Sequence, residues 1–186
     1  MTRPRAIVLR TSGINCDMET EFALLTAGFD PGRVHIGDLI SGADKLSNYS
    51  MLVIPGGFSY GDDIASGRVL ANELLNTLGE QLDAFLAAGG LALGICNGFQ
   101  TLVKLGALPK RVAKPSEQMF SLVDNECGQF VDRWVRLRPD PRLCVFVTDD
   151  EIVEFPVAHA EGNFIARVNS LIDELFTRGQ VVFTYV

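Results

Sequence analysis

Histidine is nearly absent from this chain: His35 and His159 are the only two. Four cysteines, Cys16, Cys96, Cys127 and Cys144, lie far apart and form no C-x-x-C pair. Zinc-ligand spacing and a disulfide framework are therefore both missing, which argues against a metal site and against a small secreted scaffold. Positive charge is also short. Sixteen Lys and Arg against 23 Asp and Glu leave a net charge of -7, which disfavours a surface that tracks nucleic-acid phosphates or settles on anionic lipid. Long apolar runs are lacking as well. Hydrophobic residues make up 47% of the chain, but Gly, Pro or charge interrupts them before the roughly 20 residues that a membrane helix needs. Thr2-Arg3-Pro4-Arg5 leads straight into a strand-like run with no apolar helical leader and no small-residue cleavage site, so the expected compartment is the cytoplasm. The 186 residues suit one domain, residues 1–186.

What is present is an alternation of short buried strands and amphipathic helices. Ala6-Ile7-Val8-Leu9, Met51-Leu52-Val53-Ile54 and Leu91-Ala92-Leu93-Gly94-Ile95 read as continuous apolar strands of a sheet covered on both faces, and Val34-His35-Ile36 as a shorter one. Helical spacing runs from Asp17 to Ala27, from about Gly67 to Ala88 and from Asn97 to Leu105, with Gly28, Gly89 and Gly106 as stops. This order predicts an α/β fold, a doubly wound and mostly parallel sheet flanked by helices. The second half changes character. Residues 120–123, 130–137 and 145–147 read as β segments without a long helix between them, followed by a helix through Val168 to Phe176 and a last strand over 181–186. They predict an antiparallel β segment appended to the parallel core.

The chemistry points to Cys96. Gly94-Ile95-Cys96-Asn97-Gly98 is a G-x-C-x-G string at a strand-to-helix junction, the pattern of a nucleophile elbow with cysteine in place of serine. Such a turn strains the nucleophile's backbone, and its glycines are required where helix and strand approach closely. It presents the thiol at the C-terminal edge of the sheet, and the amides of the following helix are expected to favour the thiolate. A second element, Pro55-Gly56-Gly57-Phe58-Ser59-Tyr60-Gly61-Asp62-Asp63, follows the central strand. Its backbone N–H groups, with the one after the nucleophile, can form an oxyanion hole, and Gly57 and Asn97 are the natural donors. No Gly-Lys-Ser/Thr follows this turn, which sets a phosphate-binding loop aside.

Gly94-Ile95-Cys96-Asn97-Gly98-Phe99-Gln100 resembles the nucleophile motif of class I glutamine amidotransferases, and Gly56-Gly57-Phe58-Ser59-Tyr60-Gly61-Asp62 is similar to the oxyanion-strand motif of one branch. That branch is the glutaminase subunit, or domain, of phosphoribosylformylglycinamidine synthase, from purine biosynthesis. Gly13-Ile14-Asn15-Cys16-Asp17, Asn125 with Gly128 and Phe130, Arg133-Trp134-Val135 and His159-Ala160-Glu161-Gly162 match the same branch, so the resemblance covers nearly the whole chain. It implies a flavodoxin-like amidotransferase fold in which Cys96 attacks the side-chain amide of glutamine. Gly57 and Asn97 would then hold the oxyanion, while Gln100, Phe58 and Glu161 line the substrate. It also implies a large synthetase partner, which uses ATP and Mg to convert formylglycinamide ribonucleotide to the amidine with the released ammonia, and a small bridging subunit. No cofactor is implied for this chain itself.

The sequence departs from the family at the base. The family's histidine and glutamate come from a His-Pro-Glu motif near the C-terminus, and none stands before Val186. The expectation is a chain truncated at its C-terminus or a natural variant without its own base. His159-Ala160-Glu161 has the His-x-Glu spacing and offers His159 as a substitute base, but its surroundings resemble a different family motif, His-Gly-Glu-Gly, which implies instead a binding role in the glutamine pocket. Two other readings stay open: a catalytically incompetent subunit that binds the synthetase, and a DJ-1-like elbow-cysteine hydrolase.

Overall fold

A computed structural model of the chain describes residues 2–112 and 117–186, which divide into two compact units, 1–105 and 106–186. In the first unit β1 (Arg5–Arg10), β2 (Asp30–His35), β3 (Met51–Ile54) and β4 (Leu91–Gly94) form a parallel sheet in the order β2-β1-β3-β4. Parallel strands need crossovers, and helices supply them: α1 (Asp17–Thr26), α2 (Ile36–Ser41) and α3 (Arg68–Ala87), with α4 (Asn97–Lys104) leaving β4. From β1 the chain steps one way to β2, then returns past β1 to β3 and on to β4. This reversal creates a topological switch point between β1 and β3, where ligands of such sheets bind at the carboxyl ends of the strands.

Apolar continuity explains the sheet's position. Ala6 to Leu9 have no exposed surface and Met51 to Ile54 are at most 2% exposed, as strands covered on both faces require. On α3 the buried residues Leu70, Leu74, Leu78 and Leu82 recur every fourth position, joined by Ala71 and Phe85, so one stripe of the helix faces the core. The sheet's other neighbour, α1, is tied at its start by Asp17. Its carboxylate, 2.9 Å from Arg10 and 3.3 Å from Arg33, links the ends of β1 and β2 to the helix.

The second unit holds the antiparallel segment. β5 (Phe120–Val123) pairs with β8 (Asn163–Ala166), and β6 (Val131–Pro139) lies between β7 (Val153–His159) and β9 (Phe183–Tyr185), followed in space by α5 (Ser170–Thr177) as its one α-helix among the described residues. Phe120 and Phe164 stack across the first pair at 5.5 Å. On β6, Val131, Val135 and Leu137 are half-buried while Trp134 and the arginines between them are exposed, the alternation of a sheet with one covered face.

Several sequence expectations are corrected. Val145-Phe146-Val147 is not a strand. Asp140 and Arg142 close a turn just before it, with Arg142 N and Nε 3.1 and 2.9 Å from Asp140 Oδ1, and Val145 stays 67% exposed with no ladder to join. Val34-His35-Ile36 is not a strand of its own: His35 ends β2 and caps α2, its Nδ1 accepting from Gly37 N at 3.1 Å. The last strand covers only Phe183–Tyr185, paired with Leu137 to Pro139 of β6. The four-residue β8 is too short to announce itself by periodicity and exists through its pairing with β5.

Candidate active site

Cys96 sits between β4 and α4 with φ 52° and ψ -111°, a conformation that only a tight local framework imposes on a residue with a side chain. The framework is visible. Gly98 N donates to Ile95 O at 2.9 Å and Gln100 N to Cys96 O at 3.0 Å, so the helix starts immediately after the nucleophile. A Cβ on Gly94 would lie 2.5 Å from Gly98 O, and one on Gly98 would lie 1.9 Å from Ile54 O. Both glycines of the string are thus demanded by close backbone packing, as the motif implied. Cys96 itself is exposed.

The turn after β3 is held from the other side by the loop that follows β1. Phe58 N donates to Gly13 O at 2.8 Å, Tyr60 N to Ser12 O at 2.9 Å, and Ile14 and Gly57 form an isolated antiparallel bridge. Gly57 has φ 141°, and a Cβ there would lie 2.6 Å from Gly13 O. Tyr60 anchors the turn from below, its hydroxyl 2.7 Å from Thr11 Oγ1 and also bonded to Glu73 of α3. Gly56 leaves an open slot: a Cβ there would touch Cys96 Cβ at 3.5 Å and Cys16 Sγ at 3.7 Å, so any longer side chain would fill the space between the two thiols.

The elbow and turn therefore bring Cys96, Asn97, Gln100, Gly57 and Phe58 to the carboxyl ends of β3 and β4 in the first unit. Phe58 is 58% exposed, whereas Gln100 is buried and its amide oxygen accepts from Asn97 Nδ2 at 3.3 Å. Sequence reasoning assigned no role to the Asn97 side chain, to Asp62 or to Cys16. The Gly56–Asp62 and Gly13–Asp17 strings drew attention to them without revealing what they touch.

Two influences on the thiol oppose the Asn97 N–H. Burial by the surrounding protein pushes the Cys96 thiol above its ordinary value; the Asn97 N–H favours the thiolate as expected but is outweighed, and the Asp62 carboxylate pushes the same way as burial. At neutral pH Cys96 is a thiol that needs a base. Its alkylation by iodoacetamide should climb about tenfold per pH unit past the ordinary thiol range before levelling. Asp62→Asn should accelerate it at neutral pH, because removing a like charge lowers the thiol pKa. Rates followed by mass spectrometry of the Cys96 peptide check both.

His159 and Glu161 belong to the second unit. His159 ends β7, and Glu161 lies beyond the strand, in a bend. The partner that orients the ring is Asn125, not Glu161. Asn125 Nδ2 donates to the carbonyls of Gln129 and His159, each at 2.9 Å, which fixes Asn125 Oδ1 as the acceptor. That oxygen receives Gly162 N at 2.9 Å and lies 2.9 Å from His159 Nδ1, so Nδ1 carries the proton and a neutral ring keeps Nε2 open as an acceptor. The ring borders a cavity of about 420 Å³ that also meets Arg133, Cys127 and Tyr185.

Comparison with known proteins gives a consistent result. A family model described as a CobB/CobQ-like glutamine amidotransferase domain matches residues 3–186. The chain is 43% identical over 166 residues to phosphoribosylformylglycinamidine synthase subunit PurQ of Dehalococcoides mccartyi, covering 89% of this chain and 64% of that protein. Against the protein of the same name from Methanococcus maripaludis strain C7 it is 39% identical over 182 residues, covering 98% and 66%. Among solved structures, that of PurLQS from Thermotoga maritima matches all of this chain and 76% of its counterpart, with a TM-score of 0.75 and 31% identity. The chain thus spans slightly less than two thirds of the length of these two curated relatives. No helix among the described residues is long and apolar enough to cross a membrane.

Proposed function

The chain belongs to the CobB/CobQ-like glutamine amidotransferase family, and from that membership we propose that it is the glutaminase component of phosphoribosylformylglycinamidine synthase. The observation that carries this reading is Cys96 held at positive φ on an elbow, beside a glycine turn whose backbone faces the same sheet edge. Relatives named as PurQ subunits at 39–43% identity support the choice of branch.

In the proposed reaction the Cys96 sulfur attacks the carboxamide carbon of glutamine. The carbonyl oxygen becomes an oxyanion held by the N–H groups of Gly57 and Asn97, an arrangement worth about 3 to 4 kcal/mol in comparable sites. Collapse breaks the C–N bond, ammonia leaves with the thiol's proton, and a glutamyl thioester remains. Water then cleaves the C–S bond, giving glutamate and the free thiol. Gln100 and Phe58 are the proposed glutamine-binding residues, and Glu161 is proposed on the sequence resemblance alone. His159 is proposed as a substitute base from its His-x-Glu spacing in the sequence. The ammonia passes to a large synthetase subunit that uses ATP and Mg, with a small bridging subunit completing the assembly in the cytoplasm; the chain itself carries no cofactor.

A glutamine-derived diazoketone tests the reading. The expected result is one covalent adduct per chain, mapped to Cys96 among the four cysteines and suppressed by excess glutamine. An adduct on another cysteine, or labelling indifferent to glutamine, would overturn it.

A further inference from the structure

We propose that the side chain of Asn97 is a positioning residue that locks the Gly57 turn to the nucleophile elbow, so that one residue supplies an oxyanion donor through its backbone and fixes the other donor through its amide. The consequence for catalysis rests on the glutaminase reading; the lock itself does not.

Asn97 is 1% exposed, and its amide is fully engaged. Oδ1 accepts from Ser59 N at 3.2 Å, two residues past Gly57. Nδ2 donates to Asp62 Oδ1 at 2.9 Å and to Gln100 Oε1 at 3.3 Å. The assignment admits no flip, because the reverse orientation would set an amide oxygen against a carboxylate and an NH2 against a backbone N–H. Asp62 Oδ1 also accepts from Gly67 N at 3.2 Å, which ties the end of the turn to the start of α3. Asn97's own carbonyl accepts from Thr101 Oγ1 at 2.8 Å, so the residue is held on α4 as well. The turn between these ties contains three residues at positive φ, Tyr60, Gly61 and Asp62; the loop after β1 and the Tyr60 hydroxyl hold it from one side, and Asn97 adds the tie to the elbow. Ser59 enters through its backbone: among the described residues its buried Oγ has no hydrogen-bond partner. Only an uncharged side chain with one donor and one acceptor end fits between an N–H and a carboxylate. Aspartate at position 97 would face Asp62 with like charge, and leucine would leave the Ser59 N–H without a partner.

The test uses a charge exchange. In Asn97→Leu and Asn97→Asp, the saturating rate of diazoketone labelling should fall at least about tenfold, as expected when an oxyanion donor is displaced. The half-saturating concentration should change by less than about threefold, because the donors act on developing charge rather than on bound glutamine. Iodoacetamide alkylation of Cys96 in Asn97→Leu, which needs no oxyanion hole, should stay near the parent rate. Combining Asn97→Asp with Asp62→Asn removes the like-charge contact and restores one carboxylate–amide bond, while giving up the bonds to Gly67 N and Gln100 Oε1, and should recover part of the labelling rate. Hydrogen exchange at Ser59 N reads the lock independently of any reaction, with protection lost in Asn97→Leu and regained in the exchange variant. Unchanged protection in Asn97→Leu, unchanged labelling despite lost protection, or an exchange variant no faster than Asn97→Asp would each overturn the proposal. A parent chain that takes up no diazoketone sinks the glutaminase reading instead, while hydrogen exchange still decides the lock.

Discussion

Cys96→Ala and Cys96→Gly are both expected to abolish diazoketone labelling and, on the proposed glutaminase reading, to lower glutamine hydrolysis by at least about a thousandfold, yet only the glycine variant should become more stable. The two effects separate because position 96 carries two loads. Its sulfur is the proposed nucleophile, and its Cβ is what makes φ 52°, ψ -111° costly. Alanine removes the first load and keeps the second, so its stability stays close to the parent's. Glycine removes both. Releasing strain of about 1 to 3 kcal/mol, less about 0.5 to 1 kcal/mol for the added freedom of the unfolded chain, leaves a net gain near 1 kcal/mol. For a chain of this size that raises the melting temperature by about 2 to 4 °C. Thermal or urea unfolding of the three proteins checks it: a glycine variant no more stable than the alanine variant would show that the elbow stores no strain.

Gly98→Ala should be among the most damaging single-methyl changes in the first unit. The added Cβ would lie 1.9 Å from Ile54 O and 2.6 Å from Ile54 C, atoms of the backbone of a strand with almost no exposed surface. No side chain can rotate aside. Ile54 O accepts from Ile95 N at 3.0 Å, so displacing it breaks the bond that joins β3 to the elbow and shifts Pro55 to Gly57 with it. The cost should reach about 3 kcal/mol or more, the upper range for overpacking, and diazoketone labelling should fail even in the fraction that folds. Gly79→Ala is the matched control. It lies inside α3, where a new Cβ would meet nothing closer than Leu75 Cδ1 at 3.9 Å, so alanine should stabilise the helix by about 0.5 to 1 kcal/mol. Unfolding free energies of opposite sign for the two substitutions are the expected outcome; equal values would mean that the elbow yields to the extra methyl.

The parallel sheet, its helices and the place of the nucleophile were legible in the sequence because each rests on a local rule. Apolar runs of four or five residues mark buried strands, fourfold spacing marks α3, and glycines at 94 and 98 mark a backbone that no side chain can crowd. The short α2 and β8 escaped because six and four residues are too few for a period, and Val145 to Val147 misled because β-forming residues without a partner strand form no ladder. Three features were decided by contacts across the chain alone. Whether the Cys96 thiol is raised or lowered depends first on how much protein surrounds the sulfur, with a smaller push from Asp62, 34 positions earlier. The tautomer of His159 depends on Asn125, and the use of the Asn97 amide on Ser59, 38 residues away. Local pattern reports what the backbone must do, whereas charge, desolvation and hydrogen-bond direction depend on which distant groups the fold brings within a few ångströms.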